Sequence, residues 1–331
     1  MRRKIALFST LGVFVILGAV IIPRPGYHYQ PHSLPADFDS FYAMKLKQSK
    51  EKGARPGCEE KLNRFGPKTE YAILYLHGYG ASRAEGEESI DRFANKLHAN
   101  TYYVRLPGHG TNMEDQASVS YTDYLDESEE ALQMMPALGD KIIIVGTSMG
   151  ALLATHLAAE HPDKLYALII ASPFYEFVRK EANIASVPGG GKLAEVFGGG
   201  KIRDVTKKPD DVKDKRSPGF ENYWYEKQYF SSIQSLARLK KAVSGEHTFG
   251  RVTAPVLMIY YYKNENEQDT AASVPAMLEG FHQFGKFTRP SPYNRSVAVA
   301  DGDHIMFSKW IPTDKDLIDK ELNRFIDDLK K

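Results

Sequence analysis

Ser148 has the sequence surroundings of a nucleophile. It is the central residue of the G-x-S-x-G segment 146–150 (GTSMG), which directly follows the apolar run 141–145 and precedes the helix-forming run 151–154. A sharp turn of this form between a strand and a helix lifts the serine hydroxyl above the sheet and leaves room only for glycine beside it. The pattern predicts that Ser148 attacks an electrophile, with the positive end of the helix facing the developing charge.

A serine hydroxyl is a weak nucleophile at neutral pH and needs a base, which an acid orients in turn. With this kind of turn the order along the chain is serine, acid, histidine. His304, in the segment 301–304 (DGDH), follows the last predicted strand, where a loop can carry the imidazole over the serine. The other histidines lack this position, and a metal site at Asp301, Asp303 and His304 lacks further ligands. We therefore predict that His304 is the base.

Three carboxylates follow the strand that precedes this histidine, namely Glu265, Glu267 and Asp269. We predict Asp269 as the acid that orients His304, with Glu267 and then Glu265 as alternatives. The gap between Ser148 and Asp269 accommodates a long insertion, and the gap from Asp269 to His304 accommodates one helix.

A fourth segment predicts the donors that would hold an oxyanion. The run 71–76 leads into His77-Gly78-Tyr79-Gly80, whose glycines let the backbone approach a ligand closely. The backbone N–H groups of Tyr79 and Met149, the residue after the nucleophile, are the predicted pair. This set of groups needs neither a metal ion nor an organic cofactor.

Short apolar runs alternate with amphipathic stretches along the chain, which predicts an α/β fold with a mostly parallel sheet and helices on both faces. The predicted strands are 71–76, 101–106, 141–145, 165–171, 255–261 and 296–300, and the predicted helices are 87–97, 121–135, 150–160 and 314–329.

One interval, residues 175–253, carries no clear strand and is too long for a structureless loop, so we predict an inserted helical cap there. Its glycine triplets 189–191 and 198–200 are each followed by lysine, but not by the Ser/Thr of a phosphate-binding loop, and no strand precedes them. Hinges or turns in a mobile lid explain them better. Its aromatic cluster is either cap core or the lining of an apolar substrate channel, and comprises Tyr223, Trp224, Tyr225, Tyr229 and Phe230.

Residues 1–35 form a different unit. Arg2, Arg3 and Lys4 precede the uncharged run 5–22, which as a helix would be about 27 Å long and just able to span a bilayer. We predict an uncleaved signal anchor and an extended tether, with the domain 36–331 on the non-cytoplasmic side (periplasmic or extracellular). A cleaved signal is the alternative, although no A-x-A pattern follows the run.

The composition excludes other classes. The formal charge of +1 offers no footprint for nucleic acid, and 42% hydrophobic with 26% charged residues is typical of a globular protein. The single cysteine, Cys58, excludes an intramolecular disulfide and a cysteine-based zinc site.

Taken together, the segments 77–80 (HGYG), 106–110 (LPGHG), 146–150 (GTSMG) and 303–304 (DH) resemble the monoacylglycerol lipase and lysophospholipase-like serine carboxylesterases of the α/β-hydrolase superfamily. The resemblance covers about residues 71–331. It implies that 106–110 is a structural loop and that His109 is not catalytic. The acid segment 266–269 departs from the family's usual Gly-x-x-Asp turn, so the resemblance supports Asp269 by position only.

These observations predict a serine hydrolase that cleaves carboxylic esters with apolar acyl chains, monoacylglycerol-like or lysophospholipid-like, through an acyl-enzyme. A thioesterase, an acyltransferase or a peptidase would use the same three residues. A haloalkane dehalogenase is excluded because it needs Asp where Ser148 stands. A non-catalytic binding protein on the same fold is the alternative from another class.

Overall fold

A mostly parallel sheet forms the centre of the computed structural model, which describes residues 23–31, 33–205 and 216–331. The strands are β1 (Lys61–Asn63), β2 (Thr69–Leu76), β3 (Asn100–Tyr103), β4 (Gly139–Thr147), β5 (Leu165–Ala171), β6 (Ile202–Asp204), β7 (Lys227–Tyr229), β8 (Val256–Asn264), β9 (Glu267–Gln268) and β10 (Arg295–Val299). The order in the sheet is β1-β3-β2-β4-β5-β8-β10, with β9 paired to β8. Within this order the five neighbouring pairs that begin with β3–β2 and end with β8–β10 are parallel. Strand β1 is antiparallel to β3, and β9 is antiparallel to β8. The predicted sheet is confirmed.

Helices connect the strands. They are α1 (Phe38–Glu51), α2 (Glu87–Leu97), α3 (Met113–Ser118), α4 (Tyr121–Met134), α5 (Met149–Glu160), α6 (Gly190–Phe197), α7 (Ile233–Val243), α8 (Glu246–Phe249), α9 (Val274–His282) and α10 (Lys315–Leu329). The four predicted helices correspond to α2, α4, α5 and α10. Helix α1 was not expected.

The sheet separates two apolar layers because successive side chains of a strand point to opposite faces. On β2, Leu74 and Leu76 pack into one layer with α4, α5 and α7, while Ile73 and Tyr75 pack into the other with α2 and α10. Strands buried on both faces explain the nearly continuous apolar runs of the sequence. The layers hold the carboxyl ends of β2, β4 and β8 at one edge, where the predicted site residues follow.

Helix α1 is joined to the domain by buried charges. The Lys45 ammonium lies 2.6 Å from Glu127 and 2.8 Å from Glu130 on α4. The segment before α1 also contacts α4, since the Tyr27 hydroxyl donates to Asp126 and the Tyr121 hydroxyl donates to the carbonyl of Gly26. Gly26, Tyr27 and helix α1 therefore all contact α4.

The stretch between β5 and β8, called here the intervening segment (residues 172–255), contains α6, α7, α8 and short 3₁₀ turns. It also contains the antiparallel pair β6 and β7, which the sequence analysis did not predict. Strands of three residues are too short to show a period-2 pattern, which explains the omission.

The predicted membrane span, residues 5–22, lies outside the described residues. Within the ranges that the structure does describe, none of the helices combines the length and apolar character needed to cross a bilayer.

Candidate active site

Ser148 sits on a strained turn between β4 and α5. Its backbone angles are φ 54° and ψ −114°, in a region that side chains other than glycine rarely adopt. Backbone hydrogen bonds hold it there: its N–H donates to Ala171 at 2.9 Å, and its carbonyl accepts from Phe174 at 3.0 Å. Such strain costs about 1–3 kcal/mol and persists only where surrounding structure enforces it.

The two glycines beside this turn permit a close crossing of backbones. A Cβ on Gly150 would overlap the Leu76 carbonyl of β2, and a Cβ on Gly146 would lie 2.5 Å from the carbonyl oxygen of Gly150. The G-x-S-x-G pattern is therefore required by the packing of α5 against the ends of β2 and β4.

The loop after β2 is fixed by His77. Its Nε2 accepts a hydrogen bond from the Leu106 N–H at 3.1 Å, which leaves Nδ1 to donate to the Gly78 carbonyl at 2.9 Å. The histidine thereby joins this loop to segment 106–110. Burial lowers the pKa of His77 well below its usual value, so the ring is a neutral structural link.

The two predicted oxyanion donors flank Ser148. Met149 is the first residue of α5, where an N–H has no acceptor within the helix. Tyr79 lines the same cavity as Ser148, and a Cβ on the preceding Gly78 would lie 3.3 Å from the Ser148 Cβ. Within the described ranges, neither amide donates to another protein atom.

His304 and Asp269 form a tight pair. The His304 Nδ1 lies 2.6 Å from Asp269 Oδ2, and the Asp269 side chain is fully buried. The other oxygen, Oδ1, accepts from the N–H groups of Ala271 at 2.8 Å and Ala272 at 3.0 Å. The carboxylate is thus oriented by its own loop and directs Nε2 of the histidine away from itself.

The charges around His304 favour its protonated form. Burial alone would lower the pKa of the imidazole, but the charge and hydrogen bond of Asp269, together with Asp303 and Glu85, raise it above 6.5. The ring is therefore a stronger base than a free imidazole.

Ser148 and His304 line one cavity of about 250 Å³. No hydrogen bond joins Ser148 Oγ to the imidazole in the part of the chain described, and such bonds often tighten only when substrate binds. Part of the wall comes from the intervening segment. Its apolar and aromatic residues there are Val205, Phe220, Trp224 and Tyr225, and the loop after β10 adds Ile305 and Ile311.

The alternative acids do not reach this site. Glu267 pairs with Lys263 at 2.8 Å and is about half exposed, and Glu265 accepts from the hydroxyl of Tyr262 on the surface. Asp269 alone of the three contacts His304.

Competing histidines have other partners. His161 bonds Glu129 at 2.7 Å, and His156 is buried with its ring 5.8 Å from that of Tyr27. His109 is fully buried beside His77, with Nδ1 2.9 Å from the Pro107 carbonyl. Cys58 is buried and free.

Several residues of the cavity wall have no signal in the sequence, and three of them carry charged or amide side chains. Glu85, Gln228 and Arg216 line the cavity but belong to no motif. Glu85 lies in the acidic run 85–88 (EGEE), where nothing in the sequence separates a buried carboxylate from surface ones.

A larger cavity of about 940 Å³ lies within the intervening segment and contains none of the predicted site residues. The described residues also contain no group of three or more His, Cys, Asp or Glu side chains arranged to hold a metal ion.

The fold and the site together are those of an α/β hydrolase. The family model described as the alpha/beta hydrolase family matches residues 73–310. The chain belongs to this family.

Individual relatives agree with this placement. A thermostable monoacylglycerol lipase of Bacillus sp. (strain H-257) is 26% identical over 235 residues, covering 71% of this chain and 86% of that protein. A solved structure from the pair of metagenome-derived lipolytic enzymes LipS and LipT covers 84% of this chain and 99% of its own, with TM-score 0.61 and 17% identity. A soluble variant of monoglyceride lipase from Saccharomyces cerevisiae covers 93% and 99%, with TM-score 0.59 and 14% identity. At such identities the two structures show a shared fold.

Gly150→Ala tests the backbone crossing. We expect a loss of about 1–3 kcal/mol in the free energy of unfolding, because the added methyl must displace the Leu76 carbonyl. Gly200→Ala is the matched control, since open space surrounds Gly200 and the change should stay within about 0.5 kcal/mol. Denaturant unfolding measures both. Equal stability of the two variants would contradict the crossing.

Proposed function

We propose that this protein is a serine hydrolase that cleaves carboxylic esters with apolar acyl chains, such as monoacylglycerol-like or lysophospholipid-like molecules. The observation that carries the proposal is the buried Asp269–His304 pair, whose imidazole lines one cavity with the strained Ser148. Ser148, His304 and Asp269 act as nucleophile, base and orienting acid, and the Tyr79 and Met149 amides hold the oxyanion.

In acylation, His304 Nε2 takes the proton of Ser148 while Oγ attacks the carbonyl carbon of the ester. The carbonyl oxygen becomes an oxyanion that accepts from the N–H groups of Tyr79 and Met149. The imidazolium, stabilised by Asp269, then gives its proton to the leaving alcohol as the carbon–oxygen bond breaks. The product is an acyl group bound to Ser148.

Deacylation repeats these steps with water. His304 takes a proton from water as its oxygen attacks the acyl carbon, and the same amides hold the second oxyanion. The proton then returns to Ser148 Oγ, which releases the carboxylic acid and restores the enzyme.

The aromatic side chains in and behind the cavity wall favour a substrate with an apolar acyl chain. Phe220 stacks on Trp224 with ring centroids 4.0 Å apart, and Trp224 packs on Trp310. Arg203 lines the larger cavity and donates to Gln228, which lines the smaller one, so this hydrogen bond links the walls of the two cavities. A substrate longer than the smaller cavity would extend toward this contact. We assign residues 175–253 as a cap within the domain 36–331 on these grounds.

A thioesterase, an acyltransferase or a peptidase would use the same acyl-enzyme. The monoacylglycerol lipase of Bacillus sp. (strain H-257) named above favours the ester. A binding protein without activity would not need a strained serine, an oriented histidine and two free amides in one place.

We also propose that residues 5–22 anchor the enzyme in a membrane with the catalytic domain on the non-cytoplasmic side. The basic residues before this run and its uncharged length support the proposal. A lipid ester would then be met at the bilayer surface. Nucleic acid is not a partner on the grounds of charge given above.

Ser148→Ala should lower kcat for p-nitrophenyl ester hydrolysis by at least about 10⁴-fold, because no other group forms the acyl-enzyme. It should also abolish labelling by a fluorophosphonate probe. Ser118→Ala, at an exposed serine of α3, is the control and should behave as the wild type. Undiminished labelling of Ser148→Ala would refute the nucleophile.

Asp269→Asn should lower kcat by about 10³–10⁴-fold, because the imidazolium loses the charge that stabilises it. Activity needs neutral His304, whose pKa is raised above 6.5, so wild-type kcat/KM should rise with pH through a midpoint above 6.5. The variant's midpoint should be lower, since Asp269 contributes to that raised pKa.

Glu267→Gln is the matched control for this change, because Glu267 pairs with Lys263 on the surface and is about half exposed. It should stay within about twofold of wild-type kcat. The assignment of the acid would be reversed if Glu267→Gln showed the large loss and Asp269→Asn did not.

The anchor predicts a difference between two chains expressed in the same cells. The full chain should sediment with membranes and resist alkaline carbonate, whereas a chain that begins at Pro23, and so keeps the Gly26 and Tyr27 contacts with α4, should stay in the supernatant. Mass spectrometry of the full chain should find residues 1–22 attached. Their removal would favour a cleaved signal, and a full chain in the supernatant would contradict both.

A further inference from the structure

Glu85 is a buried acid at the edge of the active-site cavity that the mechanism above does not use. It lies in a short 3₁₀ turn between β2 and α2 and is 2% exposed, yet it lines the same cavity as Ser148 and His304. A carboxyl group buried to this extent needs either partners or a proton.

The hydrogen-bond partners of Glu85 connect the two segments that carry the proposed oxyanion donors. Glu85 Oε2 accepts from the Gly78 N–H at 2.8 Å and from the Tyr75 hydroxyl at 3.1 Å. The Tyr75 hydroxyl also lies 3.1 Å from Oγ1 of Thr147, the residue before the nucleophile. Glu85 therefore connects the loop that carries the Tyr79 amide to the turn that carries Ser148.

The carboxyl group is also close to the reacting atoms. A Cβ placed on Gly78 would lie 2.9 Å from Glu85 Oε1 and 3.3 Å from the Ser148 Cβ, so this point lies between the two groups. Gly78 directly precedes the predicted donor Tyr79. The Oε1 atom is therefore close both to the nucleophile turn and to the loop that carries Tyr79.

The charge on this carboxyl group matters because two negative charges at short range in a poorly solvated site repel strongly. Burial raises the pKa of Glu85 to about 7, against the hydrogen bonds from Gly78 and Tyr75 and the charge of His304, which lower it. Tyr75 on β2 is its titratable hydrogen-bond partner, and Glu87 on α2 acts electrostatically on Tyr75. The charged or titratable groups that share its cavity are Tyr79 after β2, Tyr225 and Arg216 in the intervening segment, and Asp303 and His304 after β10.

We propose that Glu85 is a positioning residue that works in its neutral form: it holds the oxyanion loop against the nucleophile turn, and its ionisation slows ester cleavage. Both hydrogen bonds to Oε2 persist when Oε1 is protonated, so the loop keeps its place while the negative charge is absent. The inference rests on the proposed function, because it concerns the oxyanion of that reaction.

The test is the pH profile of kcat/KM for a p-nitrophenyl ester, with non-enzymatic hydrolysis subtracted. For the wild type, kcat/KM plotted against pH should be bell-shaped. It should rise as His304 loses its proton and fall above about pH 7 as Glu85 ionises. By about pH 9 it should be at least about fivefold below its maximum. Glu85→Gln keeps a carbonyl acceptor for both donors but cannot ionise. Its profile should rise with His304 and then stay level.

Tyr75→Phe provides a second test that does not alter the carboxyl group. Loss of one donor removes an interaction that favours the ionised form, so the falling limb should move to higher pH. A purely structural role would change the height of the profile in both variants and leave the falling limb in place.

The inference is overturned by a level wild-type profile up to about pH 9, by a falling limb that persists in Glu85→Gln, or by a limb that Tyr75→Phe does not move. Unfolding by denaturant would identify a variant that fails to fold, in which case the other variant decides. Failure of the proposed function would look different, since the wild type would then show no hydrolysis that depends on Ser148.

Discussion

The crossing of α5 over the ends of β2 and β4 is the contact on which the rest of the site depends. Gly150 lies directly against the Leu76 carbonyl, and the chain reverses so sharply there that Ser148 takes a positive φ. Because α5 and both strands are buried, the apolar layers of the domain enforce this strained turn. The same crossing brings the loop with Gly78 close to the serine, since a Cβ on Gly78 would lie 3.3 Å from the Ser148 Cβ.

The other half of the site comes from the far strands of the sheet. Asp269 follows β8 and β9, His304 follows β10, and their hydrogen bond spans two loops that the parallel strands bring to one edge. A fully buried carboxylate with two backbone donors is a fixed point, so His304 is oriented before any substrate arrives. Burial of the pair also strengthens the interaction between their charges, which is what makes the imidazole a stronger base.

Much of this could be predicted from the sequence. Ser148, the order of the three groups and the strands of the sheet follow from a local motif and from apolar runs, which depend on neighbours along the chain. Helix α1 could not be predicted, because its contacts are with residues distant along the chain: Lys45 with two glutamates of α4, and Phe38 and Phe41 with Tyr102 of β3. Glu85 was missed for a similar reason: its burial depends on Tyr75 and Gly78, and an acidic run is typical of a surface.

The central claim is that an acyl group passes through Ser148. Mixing the enzyme with a p-nitrophenyl ester of a slowly released acyl group should give a burst of nitrophenol equal to the enzyme concentration. Intact-protein mass spectrometry at the end of the burst should find one added acyl group, and peptide mapping should place it on Ser148. Steady turnover without a burst or adduct, or an adduct on another residue, would contradict the claim.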